Sequence, residues 1–330
     1  MTYGMKLAGT GKALPCRLLT NEELENYMQT SREWIESHTG IRQRYLCTEE
    51  NILTLAAQAA QQAIEQAEKD PSFTREKIRV VLAATSTGYY AFPSVAAMTV
   101  GALGLSEHVY AADLSAACTG FIYGLGTAAS LLASGMGEYA LIIGCEEFSR
   151  ILELSDRSTG MLFGDGAGAA VIRLEPSAKQ TFFWQVWTRG NEEWLSCPGI
   201  NCGRDVFCPE QKTEPSLIRM NGPEVFRFAV KAIPQAIDQV CALAGKAPAD
   251  IDHIVCHQAN SRIIDAVKKK YPGLEGRFYI NIGEYGNTSA ASIPIALAEM
   301  DEKGLLQSGR TLLTVGFGAG LTWGGALLQL

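Results

Sequence analysis

The chain has 330 residues, 47% hydrophobic and 19% charged, with a formal net charge of −7. That length and apolar share imply a globular protein with ample core, in one large domain or two closely joined ones, and the acidic balance argues against a nucleic-acid partner. No apolar run reaches the roughly 18 residues a membrane span needs, and Met1 to Lys12 lacks a signal-peptide pattern; the expectation is a cytoplasmic protein without membrane association.

In chain order, an amphipathic helix from Leu53 to Lys69 leads through a polar turn into an apolar strand, Ile78 to Thr85. A strand from Val109 to Leu114 precedes an Ala/Gly/Leu-rich segment, Phe121 to Ser134. Small and apolar residues cover every face of that segment, which predicts a buried helix. Strands at Tyr139 to Gly144 and Gly166 to Ile172 close this half. The second half repeats the rhythm. It has a helix from Glu224 to Ala244, a strand from Ile251 to His257, and a strand from Arg277 to Ile282 followed by a small-residue helix. Strands Thr311 to Gly316 and Trp323 to Leu328 follow. Alternating strands and helices imply α/β layers, with halves at 1–175 and 176–330. Equivalent strand ends in two such halves face each other across a pseudo-dyad. Cys118, His257 and Asn287, each at or after a strand end, can therefore converge in one cleft.

Nine cysteines, an odd number scattered through apolar segments, point to reduced thiols. Cys118 lies between a strand and the Phe121 helix, where unpaired N–H groups and the macrodipole favour an anion. That position predicts a thiol pKa below about 8.5. Its neighbours are small, so a substrate could reach the sulfur; the alternative is a packed core cysteine. Cys16, Cys47, Cys145, Cys241 and Cys256 are expected to be small core residues. Cys197, Cys202 and Cys208 cluster, but their spacing matches no common zinc pattern, so no metal site is expected. Among four histidines, His38 and His108 sit in polar, loop-like contexts and His253 in a half-exposed strand position. His257 by itself fits a hydrogen-bonded structural group as well as a catalyst. Asn287, between Gly286 and small hydroxyl residues, fits a turn or helix N-cap as well as an aimed amide donor.

Seven ordered segments are similar to a known family. They are Trp34-Ile35 with Thr39-Gly40-Ile41-Arg42, Ala91-Phe92-Pro93-Ser94, the Cys118 motif, Phe163-Gly164-Asp165-Gly166-Ala167-Gly168-Ala169, His257-Gln258-Ala259-Asn260, Gly286-Asn287-Thr288-Ser289, and Phe317-Gly318-Ala319-Gly320. From about Tyr3 to Leu330 the chain resembles the β-ketoacyl-acyl-carrier-protein synthase III enzymes of the thiolase-like superfamily, least so between about Arg173 and Met220. The resemblance implies an α/β fold in which duplicated βαβαβαββ halves form a five-layer α-β-α-β-α sandwich.

It further implies an acyltransferase. Cys118 would take an acyl group from acyl-CoA, and His257 and Asn287 would bind the thioester carbonyl of malonyl-acyl-carrier protein during decarboxylative Claisen condensation, the initiating step of fatty acid synthesis. Backbone N–H groups of Cys118 and Ala319 would form an oxyanion hole. Trp34 and Arg157 would stack on the CoA adenine, Phe92 would close the partner's acyl pocket across a homodimer, and Arg227 and Arg262 would meet the acidic carrier protein. No cofactor is implied beyond CoA thioesters as substrate and product. His38 and Pro223 depart from residues common in relatives, and Trp184, Trp187 and Trp194 crowd the divergent stretch, where they are expected at the acyl-pocket wall or its entrance. Two alternatives stay open: a condensing enzyme of specialised metabolism with a different primer or acceptor, and a non-catalytic partner subunit that binds carrier protein. The glycines at 164–168 lead into a strand, which favours close packing over a phosphate loop.

Overall fold

The computed structural model describes residues 3–177, 179–199 and 215–330. The first half runs β1 (Tyr3–Ala13), β2 (Arg17–Thr20), α1 (Asn21–Leu24), α2 (Arg32–Thr39), β3 (Gln43–Leu46) and α3 (Ile52–Ala67). It continues with β4 (Ile78–Ala84), α4 (Val95–Ala102), β5 (Tyr110–Leu114), α5 (Gly120–Ala133), β6 (Tyr139–Glu146) and β7 (Gly166–Pro176). Next come β8 (Phe182–Asn191), β9 (Leu195–Ser196), β10 (Arg219–Met220), α6 (Gly222–Leu243), β11 (His253–Cys256) and α7 (Ser261–Lys268). The chain closes with β12 (Phe278–Tyr279), α8 (Ile282–Tyr285), α9 (Ser292–Glu302), β13 (Thr311–Gly318) and β14 (Gly320–Gln329).

The central strands are apolar on both faces, and successive side chains separate into two layers as the pleat demands. On β6, Leu141 and Ile143 pack with α3 on one side, while Ala140 and Ile142 pack with α5 on the other. On β13, Leu313, Val315 and Phe317 meet α6, whereas Leu312 joins the α5 side. The result is α3 and α4, a sheet, α5 and α9, a second sheet, then α6 and α7. This is the α-β-α-β-α sandwich that the resemblance implied.

The first sheet has the order β1-β7-β6-β4-β5 and the second, read backward, β8-β14-β13-β11-β12. Each begins with two antiparallel pairings and continues with two parallel ones. The duplicated rhythm of the sequence is thus a duplication of topology.

The structure departs from expectation in three places. The strand expected at Arg277 to Ile282 shrinks to Phe278–Tyr279, because Ile282 to Tyr285 turns into a helix. The divergent stretch opens with a regular edge strand, β8, paired along β14. Its period of two sends Trp184 inward against Gly126 of α5 and stacks Trp187 on Trp323 at 6.0 Å. Those two indoles and Trp194 therefore pack against the cores and line neither of the cavities at Cys118 described below. His38 lies in the last turn of α2, not a loop.

Candidate active site

Cys118 sits in a 3-10 turn, Ala117–Thr119, that runs directly into α5, as expected of a helix N-terminus. Ala117 holds a left-handed φ of +45°, a conformation costly for a residue with a Cβ. The end of β13 presses on the sulfur's residue from the other half. A Cβ built on Gly318 would lie 2.9 Å from Cys118 N and 3.0 Å from its Cβ, so only glycine admits this approach.

The thiol does not titrate as its place on the helix predicts. Burial pushes its pKa up to about 12, the nearby Glu146 adds to the rise, and Ser289 opposes it. Desolvation of the thiolate is the largest cause of the rise. The resting nucleophile is therefore a thiol. Ser289 has φ +46°, and its buried hydroxyl stands near Cys118 and Glu146 without reaching hydrogen-bond geometry with either. Glu146 is fully buried, and accepts hydrogen bonds from Thr87 Oγ1 at 2.7 Å and Ser86 N at 3.1 Å. Desolvation raises its pKa to about 7.

His257 follows β11, and its N–H donates to Val315 O at 2.7 Å. The ring packs edge-on against Phe317, and Nδ1 is buried with no hydrogen-bond partner among the described residues. Burial depresses its pKa to about 3, so a neutral imidazole with one N–H donor faces the site. The adjoining Gln258 pins this turn. Its amide donates to Cys256 O and its carbonyl accepts from Asn281 N and Ile282 N.

Asn287 is clamped on both sides of its peptide: its N donates to Leu162 O at 2.8 Å and its O accepts from Gly164 N at 3.0 Å. Its side-chain oxygen accepts from Ser289 N at 2.9 Å, which leaves the amide nitrogen as the group to aim. The glycines at 164–168 do pack closely. A Cβ on Gly164 would come within 2.7 Å of Tyr285 O. Asp165 is likewise structural, accepting from Cys47 N and Ser149 N.

Cys118 lines two cavities. One, about 450 Å³, is lined by Cys118, His257 and Asn287 together and extends to Trp34, His38, Pro223 and Arg262. The other, about 440 Å³, is lined by Cys118, Ser86, Phe148, Ile151, Ser289 and Ala319 among others. The divergent stretch gives this second cavity Leu195, Ser196 and Cys197 rather than tryptophans. Arg157 lies 4.7 Å from the Trp34 ring centroid, and His38 stacks on that ring at 4.2 Å. Phe92 is 86% exposed and lines neither cavity. Arg227 is exposed and paired with Glu224. Cys16, expected in the core, is exposed at the bend before β2 beside Glu50. Cys47 is half-buried, while Cys145, Cys241 and Cys256 are buried. Cys202 and Cys208 lie outside the described residues.

Family models described as 3-oxoacyl-[acyl-carrier-protein (ACP)] synthase III match residues 112–188, and its C-terminal part residues 241–330. A β-ketoacyl-[acyl-carrier-protein] synthase III of Clostridium acetobutylicum is 41% identical over 327 residues, 98% of each chain. The chain belongs to the 3-oxoacyl-[acyl-carrier-protein] synthase III family. It is similar to the solved synthase III of Aquifex aeolicus VF5, with a TM-score of 0.89, 38% identity, and 99% and 100% of the two chains covered. A priming β-ketosynthase from the R1128 polyketide pathway superposes with a TM-score of 0.88 at 31% identity, covering 99% and 96%. The protein is thus a condensing enzyme of the acyltransferase class, in which an acyl primer is joined to malonyl-acyl-carrier protein to begin fatty acid synthesis.

Sequence reasoning passed over Glu146, Gln258, Ser289 and Gly318 as individual groups. Glu146 carried a visible signal, a carboxylate ending a strand that is otherwise apolar throughout. Ser289 and Gly318 stood inside recognised motifs, but their contacts with Cys118 come only from folding.

Proposed function

We propose that Cys118 is the nucleophile of a ping-pong condensation, with His257 and Asn287 as the donors for its second half. One observation carries this reading: Cys118 lines two cavities, one of which is also lined by both donors. In the first step the thiol attacks an acyl-CoA carbonyl, forming Cys118–S–acyl, and its proton leaves with the CoA thiol. A buried thiol with a pKa of about 12 gives up that proton during attack rather than before it. Backbone N–H groups of Cys118 and Ala319 hold the oxyanion. The acyl chain then occupies the Ser86–Ile151 cavity.

In the second step malonyl-acyl-carrier protein enters past Trp34. Loss of carbon dioxide leaves an enolate whose oxygen accepts from the His257 imidazole and the Asn287 amide. A neutral imidazole donates its single N–H hydrogen bond here and keeps its proton. The enolate carbon attacks the Cys118 thioester, and the released thiolate takes up one proton. CoA is substrate and product, and no further cofactor is needed.

Trp34 and Arg157 form the CoA-adenine platform, the guanidinium swinging from its present contact to admit the base. Arg262, on the entrance cavity, and Arg227 meet the acidic carrier protein. A homodimer is supported by the edge strand β5 with its exposed Tyr110, by the exposed Met98 on the adjoining α4, and by the exposed Tyr89, Tyr90 and Phe92, with Phe92 closing the partner's acyl cavity. We place the halves at 1–175 and 176–330, a boundary at the last residue of β7 and just before the β7–β8 connection. No described helix is long and apolar enough to cross a membrane, in keeping with a cytoplasmic enzyme.

The test is to incubate the protein with a panel of short straight and branched acyl-CoA primers, then with malonyl-acyl-carrier protein. An acyl adduct on Cys118 by intact mass, followed by 3-oxoacyl product, is expected. Absence of an adduct with every primer would favour the non-catalytic alternative, and an adduct without product would favour a different acceptor.

A further inference from the structure

Resting on the role proposed for Asn287, we infer that Arg44 is a positioning residue for the malonyl half-reaction: a buried guanidinium that fixes the peptide segment clamping Asn287. Arg44 is fully buried on β3, and no carboxylate pairs with it among the described residues. Burying an uncompensated cation is costly, so its retention calls for a physical reason. Its two terminal nitrogens donate to neutral acceptors, while Nε is buried with no hydrogen-bond partner among the described residues. One arm donates to Asn21 Oδ1 at 2.8 Å and reaches Leu19 O at 3.4 Å; the other donates to Met161 O at 2.6 Å. Desolvation lowers its pKa only to about 10, so it remains a cation at neutral pH.

Met161 is one peptide before the clamp. The next carbonyl, Leu162 O, accepts from Asn287 N, and two residues on Gly164 N donates to Asn287 O. The stem of Arg44 packs on both flanks of this bridge. A Cβ built on Gly164 would lie 3.1 Å from Arg44 Cβ, and one on Gly286 3.2 Å. Beside it, Tyr45 O accepts from Asp165 N at 2.8 Å. Thus β3 holds residues 161–165 at both ends, and those residues hold Asn287. A single planar side chain that grips Asn21 and Met161 at once sets the height of the segment. A lysine ammonium has the charge but not the two-armed reach. The hydrogen bonds of this chain end on the Asn287 peptide, whereas Cys118 is held by β13 and α5; from the held segment only Phe163 lines both cavities with Cys118.

The inference therefore separates the two half-reactions. In Arg44→Lys, acyl transfer from acyl-CoA to Cys118, followed by intact mass, should stay within about threefold of the parent. Carbon dioxide release from malonyl-acyl-carrier protein on pre-acylated enzyme should fall roughly 10- to 100-fold in kcat, the scale expected when a catalytic group is misplaced by up to an ångström. In the Asn287→Ala background the same change should cost no more than about twofold, because the two losses act through one group. Equal loss of both half-reactions, or full multiplication of the two losses, overturns the inference. Should Arg44→Lys fail to fold, Asn21→Ala, which removes one anchor of the fork, must show the same one-sided loss at roughly three- to tenfold; an even-handed loss refutes it. If Asn287→Ala itself spares the malonyl step, the functional reading falls rather than the inference about Arg44.

Discussion

Gly318→Ala tests how tightly the second half of the molecule holds the nucleophile of the first. The added methyl would lie 2.9 Å from Cys118 N and 3.0 Å from Cys118 Cβ. Both are at least half an ångström inside the roughly 3.5–4.0 Å optimum for carbon contacts. Neither atom belongs to a side chain that can rotate away, so strand or turn must move. Overpacking of this kind costs about 1–3 kcal/mol of stability. A nucleophile displaced by a fraction of an ångström, with its N–H in the proposed oxyanion hole, should acylate roughly 10- to 100-fold more slowly. Gly316→Ala meets chiefly the tip of Ile122 at 3.0 Å and should cost less. Gly276→Ala meets nothing within 4 Å and should be neutral. The assay is stopped-flow or quenched acylation read by intact mass, with thermal unfolding alongside. If Gly318→Ala acylated within twofold of the parent and unfolded at the same temperature, the close approach of β13 to Cys118 would be wrong.

Cys118→Ala should abolish condensation yet leave some decarboxylation of malonyl-acyl-carrier protein, measured as carbon dioxide release; loss of both alike would mean that the roles are misassigned. Asn287→Ala should lower the malonyl step by about 10²–10³-fold, or ~2.7–4 kcal/mol of barrier, with acylation of Cys118 nearly unchanged. His257 and Glu146 give opposing pH dependences of stability. The histidine falls from 6.5 to about 3 on folding, so its contribution is present above pH 6.5 and lost as pH falls toward 3. The glutamate rises from 4.5 to about 7, so its contribution is present below pH 4.5 and lost as pH rises toward 7. Between pH 4.5 and 6.5 the two nearly cancel. In thermal melts across that window, His257→Gln should gain stability as pH falls and Glu146→Gln should lose it; profiles parallel to the parent's would refute both assignments.

Periodicity and residue chemistry were enough to read the duplicated halves, the helix behind Cys118, and the convergence of Cys118 with His257 and Asn287 on one cavity. Each depends on local features: a pleat of period two, an all-apolar helix, a polar group at a strand end. The same local logic failed for the Cys118 thiol. A helix N-terminus lowers a thiol's pKa in isolation, but the protein around Cys118 removes water and brings Glu146 close, and desolvation wins. It failed too for Trp184 and Trp187, whose crowding marked a pleated edge strand packed on the cores rather than a cavity wall. Arg44 offered no signal, because its importance lies in reaching Met161, 117 positions away. What the amino-acid order determined by itself was which segments form strands and helices and which groups can do chemistry. Solvation, close approach and support were decided only by tertiary structure, because they depend on atoms that no neighbouring residue in the chain supplies.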